Sequence, residues 1–244
     1  MKQLVSLILI ASLCCFSVEF SYSQTTNEES AVEHLRNIYS GSVSEQSGLY
    51  DGLEYTGYPY PIRVGQPFFQ SDSVTKGEVF YNGMLYRDVP MWYDLVKKAV
   101  VVLYSNNYSK ISLNSPKVDY FSVFNHHFYR IDSVTADLNN IDEGFYDRIY
   151  KGRSEVIVKR AKEMLRTTST DGVWISILNQ KDDRYLVKDG RYYSLTSAKS
   201  VLKALGNAHA KEIQAELMKS KIKFRRDPEK ALVLMVSVYD QLSK

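Results

Sequence analysis

The chain has 244 residues, 31 Lys and Arg against 28 Asp and Glu, and a formal net charge of +3. So small a surplus, spread along the chain, argues against a nucleic-acid partner. Its two cysteines, Cys14 and Cys15, are adjacent and near the start, so no disulfide framework, zinc–thiolate site or cysteine nucleophile is expected beyond them.

Met1 and Lys2 form a short basic start, and residues 4–16 are almost all apolar. That run of about 13 residues is shorter than the roughly 20 a spanning helix needs, so it reads as an export signal. Ser21-Tyr22-Ser23 places small residues where a signal peptidase reads, which makes residues 1–23 the signal and Gln24 the expected mature start. The residues before Cys14 and Cys15 lack the small side chain that precedes a lipidated cysteine. No later stretch is apolar enough to span a bilayer, so the exported body is expected to be soluble. Residues 24–47 read as a polar segment with a short amphipathic helix over 31–39, where Ala31, Leu35, Ile38 and Tyr39 share one face.

From 48 to 195 the pattern becomes β, with aromatic and β-branched residues alternating with polar ones; tyrosine, 19 in the chain, supplies much of it. Asn82-Gly83 and Asp189-Gly190 sit between such runs and predict two-residue hairpin turns of type I′. Lys151-Gly152 joins two more runs with poorer turn chemistry. Further strands are expected over 99–104, 110–113, 118–124, 128–132 and 174–178. Short connections allow only antiparallel neighbours. The body therefore reads as a curled antiparallel meander of about ten strands, either barrel-like or a sandwich. A membrane barrel is excluded by the short strands, the Lys and Asp on most faces, and the helical ending.

Residues 196–244 read as helical. Thr196 or Ser197 caps a helix with Ala198, Val201, Leu202 and Leu205 on one face, and Gly206-Asn207 ends it. A second helix carries Ala210, Ile213 and Leu217. Asp227-Pro228 starts a third, whose Ala-Leu-Val-Leu-Met-Val stretch is apolar nearly all round and must be covered by the sheet. The fold class is thus α+β, with a short N-terminal helix and C-terminal helices packed on an antiparallel body.

The segments Gly65-Gln66-Pro67-Phe68-Phe69, Gly77-Glu78-Val79-Phe80-Tyr81-Asn82-Gly83 and Gly144-Phe145-Tyr146 form one set. With Tyr86, Val89, Tyr93-Asp94-Leu95, Tyr150, Gly152, Phe224, Asp227 and Tyr239, the chain resembles a family of uncharacterised exported proteins of Gram-negative bacteria. The resemblance covers most of residues 57–240 and rests on turn glycines and strand aromatics. It implies a periplasmic or surface-associated protein and carries over no activity and no functional residue.

No nucleophile elbow, phosphate-cradling glycine loop, dinucleotide fingerprint or zinc-protease pattern is present. His126-His127 is the one histidine cluster, but strand neighbours point to opposite faces, so polar histidines at a strand start are expected and no metal site. The acidic run Asp137, Asn139, Asn140, Asp142 and Glu143 has the wrong register for a calcium loop and reads as a solvated hairpin loop. Asp182-Asp183, and Asp88 with Asp94, are carboxylates a glycoside hydrolase could use, though adjacent aspartates in a polar loop normally face solvent. Tyr86, Trp92 and Tyr93, near Tyr58 and Tyr60, are candidates for an aromatic ligand platform, set against an ordinary core role. Lys219, Lys221, Lys223, Arg225, Arg226 and Lys230 form a basic cluster that reads as a solvated loop.

The expected function is a non-catalytic interaction or structural module of the cell envelope, without a cofactor, binding another envelope protein through Tyr-rich strands. The candidate ligand-binding residues are Tyr86, Trp92, Tyr93, His126 and His127. The alternatives are a carrier of an apolar ligand or lipoprotein chain, and an envelope polysaccharide hydrolase; a glycan or lipid is the corresponding ligand.

Overall fold

A computed structural model describes residues 48–243 apart from Asn107. The expected signal and the helix over 31–39 lie outside the described residues. Within them the chain forms β1 (Leu53–Glu54), β2 (Ile62–Val64), β3 (Thr75–Tyr81), β4 (Met84–Asp94), β5 (Ala99–Leu103), β6 (Lys110–Ser112), β7 (Val118–Val123) and β8 (His126–Ile131). A helix α1 (Ser133–Asn139) leads to β9 (Gly144–Lys151), β10 (Glu155–Lys159), β11 (Lys162–Thr168), β12 (Trp174–Gln180), β13 (Asp183–Lys188) and β14 (Arg191–Ser194). Helices α2 (Ala198–Ala204), α3 (Ala210–Lys219) and α4 (Pro228–Leu242) close the sequence of elements.

Eleven strands make one antiparallel sheet in the order β1-β6-β5-β4-β3-β7-β8-β9-β10-β13-β14, and β11-β12-β2 make a second, smaller one. The large sheet is not closed into a barrel, because β1 and β14 are its ends. It is nevertheless strongly bent. β4 and β9 are four strand spacings apart, about 19 Å if the sheet were flat. Yet the rings of Tyr93 on β4 and Phe145 on β9 have centroids 6.0 Å apart. The sheet therefore wraps around an aromatic interior in which buried Tyr93 and Phe121 touch each other and both Phe128 and Phe145.

The turn chemistry works as expected at two places. Asn82 and Gly83 have φ of 51° and 78°, and Asp189 and Gly190 have 52° and 72°, the left-handed values a type I′ turn requires. Gly77 on β3 answers a different need: a Cβ there would stand 2.5 Å from both Met91 Sδ and the Ser122 carbonyl. Only glycine lets β4 and β7 approach at that bulge.

The second hydrophobic cluster joins Val156, Leu186 and Leu195 of the sheet region to Val201, Leu202, Leu205, Ile213, Leu232, Met235, Val236 and Tyr239. The C-terminal helices are thus packed on the sheet, α4 lying against β9 and β10. Ser197 caps α2 through a reciprocal pair with Ser200, and Gly206 (φ 74°) and Asn207 (φ 57°) end it.

Several expectations are corrected. The described strands number fourteen. β4 runs eleven residues where only its first three were expected, and β1, β2 and β11 were not anticipated. β12 pairs with β2 in parallel, because strands so distant in sequence are free of the hairpin constraint. Part of the acidic loop is helix α1, capped by Asp132, whose side chain accepts from the Thr135 N–H, and ended by left-handed Asn140. Asp227 starts α4 without a side-chain cap bond; its carboxylate accepts from Arg226 Nε at 3.1 Å instead.

Candidate functional site

Among the five candidate residues, Trp92 and Tyr93 are successive residues of β4 and point to opposite faces. Tyr93 fills the aromatic interior, and half-buried Tyr86 packs against the same cluster. Trp92 is buried on the other face with Phe68 and Val101, under the Lys110 ammonium 4.3 Å from its ring, and its Nε1 donates to the Asp72 carbonyl at 2.9 Å. Tyr86, Trp92 and Tyr93 are therefore not assembled into one platform. Tyr55 and Tyr58 come together elsewhere. Both hydroxyls donate at 2.6 Å to Asp94, which is fully buried and also accepts from the Val96 and Lys97 N–H groups at 2.8 Å. Burial, then the adjoining carboxylate, raises the pKa of both phenols. Asp94 is saturated and anchors the 53–72 segment across the sheet; exposed Asp88 takes no part.

His126 and His127 do face opposite ways. His127 stands by Ser122 Oγ at 3.1 Å and against the Tyr120 ring. Burial, and then the Arg148 and Lys151 cations, hold its pKa below the usual histidine value. His126 belongs to a larger constellation. Its Nδ1 is 2.8 Å from Oδ2 of Asp147, a carboxylate with no exposed surface. Register explains the meeting: Phe128 pairs with Asp147 across β8 and β9, so His126, two residues before Phe128, shares its face.

Arg160, buried just beyond β10, donates to Asp147 Oδ2 from Nε at 3.0 Å and Nη2 at 2.5 Å. It reaches Asp182 at 3.2 Å and both oxygens of Glu229 on the first turn of α4. Burial would lower the Arg160 pKa; Glu229 and Asp147 outweigh it and raise it. Asp182, its side chain 10% exposed, thus joins an ion network, a correction to the solvent-facing expectation, while Asp183 is exposed; Arg184 lies 4.0 Å from both Asp182 and Glu229.

Over this network lies a groove of about 560 Å³ between α4 and β8–β9. Its lining includes His126 and Asp147, the aliphatic Ile149, Val233 and Leu234, and the cations Arg148 and Lys230. His126 meets Asp147 through Nδ1, and its Nε2 has no hydrogen-bond partner among the described residues. Among the described residues no hydroxyl is hydrogen-bonded to His126, and the nearby Ser237 Oγ donates to the Leu234 carbonyl at 2.9 Å. The arrangement can orient and accept; it holds no assembled nucleophile–base pair. Asp142 of the acidic run is held by Lys159 at 2.8 Å. No group of three or more metal-ligating side chains occurs among the described residues. No family model, curated protein or solved structure matches the chain.

His126 was singled out from the sequence; Asp147, Arg160 and Glu229 were not. Their positions in the chain bear no motif spacing, and only the strand register and the docking of α4 bring them together.

Proposed function

We propose that the protein is an exported, non-catalytic interaction module of the cell envelope that takes up an extended strand of another envelope protein along β11. One observation carries this reading. Among the described residues β11 is an edge strand, paired with β12 alone, and its sheet bears an apolar face. Leu165 pairs with Ile177, Thr167 with Ile175, and Val64 lies beside Ile177, which puts these side chains in one layer. Leu165 and Val64 are 51% and 55% exposed, unusual for apolar residues on a sheet. Beyond Lys162, whose N–H donates to the Leu95 carbonyl at 3.1 Å, this edge offers a row of backbone donors and acceptors, and the apolar layer beside it selects the side chains of an added strand.

Other features support the same reading. The aromatic interior is filled by ring contacts, which argues against an enclosed lipid. Asp147, Asp182 and Glu229 converge but are all engaged by Arg160, which argues against a free carboxylate pair for glycosidic cleavage. The leader pattern of residues 1–23 favours the periplasm or cell surface.

The test is retrieval from envelope extracts with tagged protein lacking residues 1–23. One envelope protein should be retained by the native sequence, lost with Leu165→Lys, and kept with Leu138→Lys on α1, where the side chain is 81% exposed. Retention of nothing, or retention indifferent to Leu165→Lys, would overturn the proposal.

A further inference from the structure

Exposed apolar side chains gather at one end of the small sheet. From Leu165 to Trp174 every residue except Ser169 is exposed, and so are the neighbouring residues 59–61. Two backbone bonds close the turn between β11 and β12, Ser169 N–H to the Val173 carbonyl and Gly172 N–H to the Ser169 carbonyl, both 2.9 Å. Val173 and Trp174 follow the turn, 47% and 56% exposed. Ser176 N–H donates to the Pro61 carbonyl at 2.9 Å, which sets Tyr60 beside this end of the sheet. Tyr60 is itself exposed, with the Arg166 guanidinium 5.5 Å from its ring centroid.

Layer and charge separate the possible occupants. Trp174 pairs with Thr168 and so stands in the layer opposite Leu165 and Ile177. Apolar surface is therefore shown on both faces of the hairpin end. An added strand or a flat protein surface covers one face; a penetrated lipid interface covers both. The residue types fit that occupant. Tryptophan and tyrosine carry an apolar body with a polar tip and collect where hydrocarbon meets water. Arginine lays its stem along apolar surface and keeps its head among polar groups. Within residues 59–64 and 166–176 the charged side chains are Arg63, Arg166 and Asp171, two cations against one anion. Asp171 is engaged by Ser169 Oγ and lies in the field of Arg63, while Arg166 makes no ion pair among the described residues. Farther along the hairpin, Glu163 and Lys181 answer each other.

We infer that the end of the β11–β12 hairpin, with Tyr60 beside it, enters the surface of an anionic lipid bilayer. Val173 and Trp174 reach the acyl boundary, and Tyr60, Arg63 and Arg166 stay at the level of the phosphates. The inference does not rest on the strand-docking proposal, whose decisive residue, Leu165, stands in the layer opposite Trp174.

The experiment uses Trp174 as its own reporter. The chain has two tryptophans, and Trp92 is buried with its Nε1 bonded, so Trp174 alone should respond. Protein lacking residues 1–23, whose apolar run would itself enter lipid, is titrated with vesicles of phosphatidylcholine and phosphatidylglycerol, and with phosphatidylcholine vesicles. Emission should move saturably to shorter wavelength with the anionic vesicles, and lipids with brominated acyl chains should quench it. Trp174→Ser should remove both signals. Val173→Asp, a change at an exposed position, should abolish sedimentation with the vesicles while the circular-dichroism spectrum stays as it was. Arg63→Gln and Arg166→Gln should each weaken binding about fivefold. Leu165→Lys, which ends strand capture, should not weaken it. No shift with anionic vesicles, no quenching by brominated chains, quenching that persists in Trp174→Ser, or equal binding to phosphatidylcholine alone would overturn the inference.

Discussion

Asp94 and His127 show how single side chains in this protein are set by what surrounds them. Asp94 accepts two phenol and two backbone hydrogen bonds with no solvent exposure. Asp94→Ala should destabilise by about 2–5 kcal/mol, since it leaves two half-buried phenols without their acceptor; the midpoint of urea denaturation reads this. His127 has its pKa held down by burial and by neighbouring cations. Its folded state therefore prefers the neutral ring, while the unfolded ring takes a proton near pH 6.5. Above that pH both states are neutral; as pH falls below about 6.5 the unfolded state gains the proton first and stability declines toward the depressed folded value. His127→Gln should flatten that limb of the stability–pH curve, measured by thermal unfolding in a buffer series. The opposite facing of His126 and His127 was legible from strand alternation alone. The Asp147–Arg160–Glu229 network was not, because it depends on which strands become neighbours and where a helix docks.

At the scale of the element, local chemistry decided most outcomes. The Asn82-Gly83 and Asp189-Gly190 turns and the capped α2 form where the residues say they should, since each is fixed by φ preference or a local hydrogen bond. The misses have tertiary causes. β4 continues through Asp88, a left-handed residue, and Pro90 to Asp94 because β3 and β5 pair with its two halves. β11 carries mixed polar residues on a half-exposed sheet and gives little alternation to read. Helix α1 is a short helix whose signal is the Asp132 cap. Gly77→Ala should cost about 1–3 kcal/mol through overpacking, because one of the atoms its Cβ would meet at 2.5 Å is the backbone oxygen of Ser122, which cannot swing aside. Gly83, with open space around its Cβ position, should tolerate the same change sterically and lose only the left-handed turn preference. Chemical denaturation of the two variants separates these effects.

For the whole molecule, the sequence pattern specified an antiparallel aromatic body with covering helices, and that is what forms. Closure was the point it could not decide. A sheet that bends until rings four strands apart touch, yet keeps β1 and β14 as ends, satisfies the same apolar pattern as a barrel. The C-terminal helices matter to the body as a whole, since Val156 and Leu186 are buried in the cluster they complete. Deletion of residues 196–244 should therefore expose that sheet face and give an aggregating chain, seen by size-exclusion chromatography. The central claim is that the free β11 edge is where a partner protein sits. Photo-crosslinking in intact cells, with the reactive side chain at position 165, 138 or 233, tests it most directly. One discrete protein adduct at 165 and none at 138 or 233 is the expected result; no adduct at 165, or the same adduct from all three positions, would contradict it.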